Sequence, residues 1–371
     1  MKYLFILGRN LKLSRQEIES YLKIISNEIS FSAQIKNGLL LELNNKLPSG
    51  ALDFLGGTLA IGEVLSEGKL KKIVSELETL DFFDLTKGKL IYSIWNFSEE
   101  SYEKINGFIK SRFKHEKIKA SERHSSDSLI SQSGKELEFL NSKRLIDEEY
   151  FVFGESNYFF GKIFEKCNYD EIEKRDMEKP VRREELSISP RLAKIMINLS
   201  EVKNGEVLID CFCGIGTILI EALNLGISVI GVDKDSNAIT SARQNLGFFN
   251  FPKSNYTLLN SDSKKVKIFK KGVLVCEPDL GDILKKVPKE NEALQTQKNF
   301  ENLMIGVLNN LKKNISTAVF TAPLIKTNKK RIGCDINPIL EKTGFKLREG
   351  FPIEDFRKTQ IVGREIFVLE R

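Results

Sequence analysis

Three aspartates stand at the ends of three successive predicted strands in the second half of this 371-residue chain. The first opens the stretch DCFCGIGT, from Asp210 to Thr217, where a short apolar strand ends and Gly214-Ile215-Gly216-Thr217 runs directly into a helix. Glycines there let the backbone approach a ligand closely, and the helix amino terminus offers unpaired N–H groups to a carboxylate or other polar group. Cys213 lies inside the same turn. Asp233 ends the next strand, in VIGVDKDSNAI, where a carboxylate can accept bonds from both hydroxyls of a ribose. Asp262 ends the third, in LLNSD, within reach of an adenine amino group. Each aspartate alone reads as a strand-end or helix-cap residue. As an ordered set they read as a nucleoside site without a pyrophosphate. A dinucleotide site requires G-x-G-x-x-G, and Leu219 occupies the place of the third glycine.

The elements that must position these residues alternate between strand and helix, the pattern of a parallel sheet covered on both faces. Val207 to Asp210 reads as a strand, Gly216 to Leu225 as a helix, Ser228 to Asp233 as a strand and Ser236 to Leu246 as a helix. Strands follow at Leu258-Leu259 and Val273 to Cys276, then a long helix from Asn299 to Leu311 and a strand from Ala318 to Thr321. Gln360 to Leu369 closes the order as a hairpin partner. Sheets wound this way place ligands beyond the carboxyl ends of their strands.

The amino-terminal half reads differently. Lys2 to Leu7 is a predicted strand, and Ser14 with Glu17 has the spacing of a capping box for the helix that follows. Ile29 to Ile35 and Leu39 to Leu43 are strands joined at Asn37-Gly38. An α+β unit therefore spans residues 1–56. A second, at 57–167, contains the apolar run Thr58 to Leu65, a helical pattern from Ile73 to Phe83, a strand at Leu90 to Phe97 and a helix at Glu99 to Phe113. It ends in two strands, Tyr150 to Gly154 and Tyr158 to Phe164. Residues 168–186, dense in charge, are expected to be a linker, and 187–371 to be the parallel-sheet domain.

Composition is that of an ordinary folded protein, with 41% apolar and 29% charged residues, and the length suits roughly two or three domains. No apolar run reaches the roughly 18 residues that cross a bilayer, and MKYLFILGRN is interrupted too early for a secretory signal, so a cytoplasmic protein is expected. Five scattered cysteines argue against a disulfide framework. Cys211 and Cys213 have no second pair and the chain has two histidines, so no metal site is expected. The net charge of +6 fits a polyanionic partner without requiring one. Its cations cluster at Lys110, Arg112, Lys114, Lys117 and Lys119, at Lys264, Lys265, Lys267, Lys270 and Lys271, and at Lys329 to Arg331. Trp95, Phe159 and Phe160 read as core residues, and His115 and His124 as surface residues in a charged stretch.

DCFCGIGTILIEAL followed by VIGVDKDSNAI closely resembles the first two motifs of class I methyltransferases that bind S-adenosylmethionine. RDMEKPVRREELSISPRLAKIMINLS, from Arg175 to Ser200, is similar to the segment before the first motif in the THUMP-containing tRNA guanine-amino methyltransferases, and VGREIFVLE near the end extends the likeness. The resemblance implies a Rossmann-like catalytic domain preceded by a ferredoxin-like unit and a THUMP-like RNA-binding domain. It implies S-adenosylmethionine as cofactor, held by Asp210, Cys213, Gly214, Gly216, Thr217, Asp233 and Asp262. It also implies tRNA as partner and methyl transfer to the 2-amino group of a guanosine. Some relatives use a small activating subunit; otherwise a monomer is expected.

Members of that family carry D/N-P-P-Y/F after the fourth strand. The side-chain oxygen and the first proline carbonyl accept the amino hydrogens, and the aromatic ring stacks on the base. Here the loop reads Glu277-Pro278-Asp279-Leu280-Gly281, so Glu277 and Pro278 match and the ring is replaced. Glu277, Pro278 and Asp279 are the candidate catalytic residues. Two other functions fit the same residues: an amino methyltransferase acting on rRNA or DNA, and a non-catalytic relative that binds cofactor and RNA.

Overall fold

The computed structural model describes residues 1–84, 86, 88–123, 146–182, 188–203, 205–281, 284 and 286–371. The chain forms two units, one of residues 1–15, 26–53 and 57–171, the other of 16–25, 54–56 and 172–371.

Unit one contains β1 (Lys2–Leu7), α1 (Leu11–Ile24, shared with unit two), β2 (Ile29–Ile35), β3 (Gly38–Leu43), α2 (Ala51–Phe54) and β4 (Thr58–Gly68). It continues with α3 (Leu70–Leu77), β5 (Lys89–Phe97), α4 (Glu99–His115), β6 (Lys119–Glu122), β7 (Glu148–Phe153) and β8 (Tyr158–Lys166). The described strands form one sheet in the order β2-β3-β1-β4-β8-β7-β5-β6. The division expected at residue 57 falls just before β4, which pairs with β1 on one side and β8 on the other. Side chains alternate across β5: Leu90, Tyr92 and Ile94 enter one core, while Trp95 and Phe97 enter another. Phe159 and Phe160 divide between the same two cores.

Two local expectations change here. Helix α1 starts three residues before Ser14, with the Leu13 N–H donating to Asn10 Oδ1 at 3.3 Å, so Asn10 caps it and Ser14 lies inside. The buried Ser14 hydroxyl instead donates to the Gly57 carbonyl at 2.8 Å. The hairpin turn is Lys36-Asn37, because Ile35 pairs with Gly38. Gly38 is required by crowding: a Cβ there would meet the Phe97 ring at 2.8 Å.

Helix α5 (Tyr169–Glu178) occupies the start of the expected linker, and α6 (Pro190–Leu199) follows it. The Ser189 side chain accepts from the Leu192 N–H, Pro190 takes the first turn, and the helix is buried almost all round, so it packs inside the fold. Then come β9 (Val207–Asp210), α7 (Thr217–Asn224), β10 (Ser228–Asp233), α8 (Ser236–Phe248), β11 (Tyr256–Asn260) and β12 (Gly272–Cys276). The chain ends through α9 (Glu290–Leu311), β13 (Ile315–Lys326), β14 (Arg331–Ile332), α10 (Asn337–Thr343), β15 (Lys346–Leu347), β16 (Ile353–Asp355) and β17 (Val362–Glu370).

The sheet of unit two runs β11-β10-β9-β12-β13-β17-β15. The first five strands are parallel, and β17 is antiparallel to β13. From β9 the chain winds outward through β10 and β11, then returns to β12 on the other side. The carboxyl ends of β9 and β12 therefore flank a topological switch point, where sheets of this kind hold ligands. Beneath it Ile209, Leu274, Phe320 and Phe367 pack against Phe300, Met304 and Leu308 of α9.

Candidate functional site at the carboxyl edge of the second sheet

Asp210 ends β9 at the switch point and is 1% exposed. Its Oδ1 accepts the Phe212 N–H at 3.0 Å. Burial pushes its carboxyl well above the usual carboxylate range; the Phe212 bond pulls it back, and the negative charges of Asp233 and Glu277 push it further up. Three acids from three strand ends thus share one electrostatic field. The thiols of Cys211 and Cys213 are pushed up as well, first by burial and then by Asp210, which leaves them poor nucleophiles.

The glycine turn is folded by its backbone. Gly214 and Gly216 have φ of +50° and +90°, in the left-handed region, and Gly216 immediately precedes α7. The Gly214 N–H donates to Asp233 Oδ2 at 3.0 Å, and the Cys213 N–H donates to the Val232 carbonyl at 3.0 Å. Asp233 Oδ1 accepts the Asp235 N–H at 2.9 Å. A carboxylate has about four acceptor sites, so Asp233 retains capacity for hydroxyl donors. The Thr217 side chain is buried and accepts from Lys179 Nζ at 3.4 Å. Asp262 closes a tight turn after β11, its Oδ1 accepting the Lys264 N–H at 2.9 Å.

Beyond β12 the loop is held by side chains. Glu277 Oε1 accepts from Arg364 Nε at 2.5 Å and from the Thr321 hydroxyl at 3.3 Å. The register explains the second bond, since Cys276 pairs with Phe320 and the next residues are Glu277 and Thr321. Burial lowers the Arg364 guanidinium, but Glu277 and Asp355 more than offset it and hold it above its ordinary value. Pro278 is buried, and Asp279 is exposed, its Oδ1 accepting the Gly281 N–H at 3.0 Å in a turn. Glu277 thus joins the acids of the site, whereas Asp279 shapes the loop.

Sequence reasoning did not single out three supporting residues. Asn245 is fully buried on α8; its Nδ2 donates to the carbonyls of Ile215 and Val181 and its Oδ1 accepts the Val181 N–H. It ties the glycine turn to the segment after α5. Lys179 reaches Thr217 and pairs with Asp176 at 2.6 Å. Arg364 lies within VGREIFVLE, which carried the resemblance but gave no sign of its partner.

Several cations of the basic clusters have structural partners. Lys110 pairs with the buried Glu122 carboxylate at 2.6 Å, and Arg112 lies over the Phe82 and Phe83 rings. Arg331 sits 4.0 Å from the Phe356 ring centroid and donates to the Gln360 carbonyl. Lys114, Lys117 and Lys119 are exposed, as are Lys264, Lys265, Lys267, Lys270 and Lys271. His115 is exposed, and His124 lies outside the described residues. Among the described residues no helix is long and apolar enough to cross a membrane, and no cluster of histidine, cysteine or acidic groups can hold a metal.

Residues 180–317 match the RMKL-like methyltransferase domain, and residues 66–244 match a DNA methylase model. The tRNA (guanine(10)-N2)-dimethyltransferase of Methanothermobacter thermautotrophicus is 35% identical over 109 residues, 29% of this chain and 32% of that protein. Its namesake from Methanocaldococcus jannaschii is 33% identical over 114 residues, with the same shares. The chain spans about a third of the length of these curated relatives. The crystal structure of TrmN from Thermus thermophilus matches all of both chains with a TM-score of 0.54 at 14% identity, which establishes a shared fold. Residues 180–317 are thus similar to an RMKL-like methyltransferase domain, and the two relatives named here are tRNA guanine-N2 dimethyltransferases.

Proposed function

We propose that this protein transfers a methyl group from S-adenosylmethionine to the exocyclic 2-amino group of a guanosine in tRNA. The observation that carries this reading is geometric: Asp210 and Asp233 end β9 and β10 and Glu277 directly follows β12 around the switch point, with the Gly214 N–H bonded to Asp233. Acidic side chains gathered at that place suit a cationic, hydroxyl-bearing ligand better than a pyrophosphate. S-adenosylmethionine supplies, when bound, a methyl carbon activated by a positively charged sulfur. The donor set fits it: Asp210 for positive charge, Asp233 for ribose hydroxyls, Asp262 for an adenine amino group, and the turn at Cys213, Gly214, Gly216 and Thr217 for close backbone approach. Conjugation with the ring makes a base amino group a weak nucleophile. Glu277 and the Pro278 carbonyl accept its hydrogens, localising the nitrogen lone pair toward the methyl carbon. Asp279 keeps the loop turned.

The finer domain reading belongs to the same proposal, with a ferredoxin-like unit at 1–56 and a THUMP-like domain at 57–167. The exposed Lys114, Lys117 and Lys119 support RNA contact there. The relatives' names support tRNA as the partner, and a cytoplasmic setting is part of the same proposal. The test is Glu277→Ala on unmodified tRNA with labelled cofactor. Its kcat is expected to fall on the order of 10²-fold or more, with S-adenosylmethionine affinity unchanged by calorimetry. Undiminished transfer by that variant would refute the assignment.

A further inference from the structure

Glu277 stands where the resembled family carries aspartate or asparagine, and its surroundings restrict what it can recognise. Its side chain is 11% exposed, and both bonds it accepts fall on Oε1, from Arg364 and Thr321. A carboxylate oxygen has two acceptor sites, so Oε1 is committed. Among the described residues no hydrogen bond reaches Oε2. Arg364 is itself fixed: it sits on β17 opposite Pro323 of β13 on one side and Asp355 of β16 on the other. It forms an ion pair with Glu277 through Oε1. The free oxygen therefore offers lone pairs and no proton.

That restriction separates the two purines. The amino edge of guanine presents two adjacent donors, N1–H and N2–H. Adenine presents its N6–H beside the N1 lone pair. An acceptor-only oxygen attracts both groups of guanine, but it meets adenine with one attraction and one lone-pair repulsion. A neutral amide at the same place could turn its NH₂ toward adenine N1. We propose that Glu277, held by Arg364 as a positioning residue, makes this site selective for the guanine amino edge over the adenine one. The inference rests on methyl transfer to a base amino group, as set out above.

The test compares wild-type protein with Arg364→Lys, Arg364→Ala and Glu277→Gln on one unmodified tRNA at saturating S-adenosylmethionine. It reads kcat, KM for tRNA, cofactor affinity by calorimetry and the labelled nucleosides by mass spectrometry. Arg364→Ala is expected to lower kcat by roughly 10-fold or more while cofactor affinity stays within about twofold. Arg364→Lys should recover most of that loss, because a cation is restored. Glu277→Gln should raise the ratio of labelled adenine to labelled guanine. Wild-type kcat in Arg364→Ala, a lysine variant no better than alanine, or an unchanged nucleoside ratio in Glu277→Gln each overturns the proposal. If Arg364→Ala does not fold, the lysine and glutamine variants decide. A wild-type protein that labels no guanine overturns the underlying reading instead, whatever Arg364 does.

Discussion

At the β9 end of the site, Asp210 and Asp233 accept backbone N–H groups two and nineteen residues away. At the β12 end, Glu277 is held by side chains 44 and 87 residues away. The first arrangement is set as soon as one strand, one glycine turn and the next strand form. The second exists only when β13 and β17 have joined the sheet. A local constellation makes a general cofactor cradle, because backbone donors are indifferent to neighbouring side chains. A long-range constellation can be retuned by single substitutions, which suits the end of the site that must choose a substrate.

The largest effect that separates the two ends is expected at Asp210. Asp210→Asn keeps the shape and removes a group that a bound cation can ionise, so affinity for S-adenosylmethionine should fall roughly 10- to 100-fold by calorimetry. Stability should move the other way. A carboxyl raised in the folded chain holds a proton that the unfolded chain releases, so its burial costs stability as pH rises above the ordinary carboxylate value of about 4. Without cofactor, Asp210→Asn should therefore melt higher than wild type at neutral pH, with the gap closing as pH falls toward about 4. A gap that widens in acid would contradict a raised Asp210 carboxyl at the β9 end.

A smaller effect is expected at Asn245, which links the cradle to the segment before it. Asn245→Ala leaves the buried Ile215 carbonyl and the half-buried Val181 carbonyl and N–H without this partner, and chemical denaturation should show a loss of about 2–3 kcal/mol. Cofactor affinity should weaken with it, because the Ile215 carbonyl anchors the glycine turn. The smallest effect belongs to Asp279. It is exposed and, among the described residues, bonds only to Gly281, so Asp279→Ala should cost less than about 1 kcal/mol and leave cofactor affinity unchanged. A cofactor defect in Asp279→Ala would mean that the two ends are coupled.

The same contrast explains what could be read from the residues. The strands ending at Asp210 and Asp233, and the glycine turn between them, follow from patterns within a few tens of positions. Trp95, Phe159 and Phe160 could be placed in cores because aromatic residues of that size bury when they alternate along a strand. Ser14 and Glu17 have capping-box spacing, but Asn10 starts α1 and both side chains bond into the Gly56-Gly57 turn. The charged run after β8 was expected to be a linker and contains α5, whose residues are mostly polar but for the buried Tyr169. Arg364 could not be found, since no spacing rule links residue 277 to residue 364 before the strand order of the sheet is known.

One measurement bears most directly on the chemistry. Unmodified tRNA is incubated with the wild-type protein and S-adenosylmethionine carrying a labelled methyl group, then digested to nucleosides and resolved by mass spectrometry. Label is expected on the 2-amino group of guanosine. Label on adenine amino groups, on ring carbons, or on no nucleoside would contradict it.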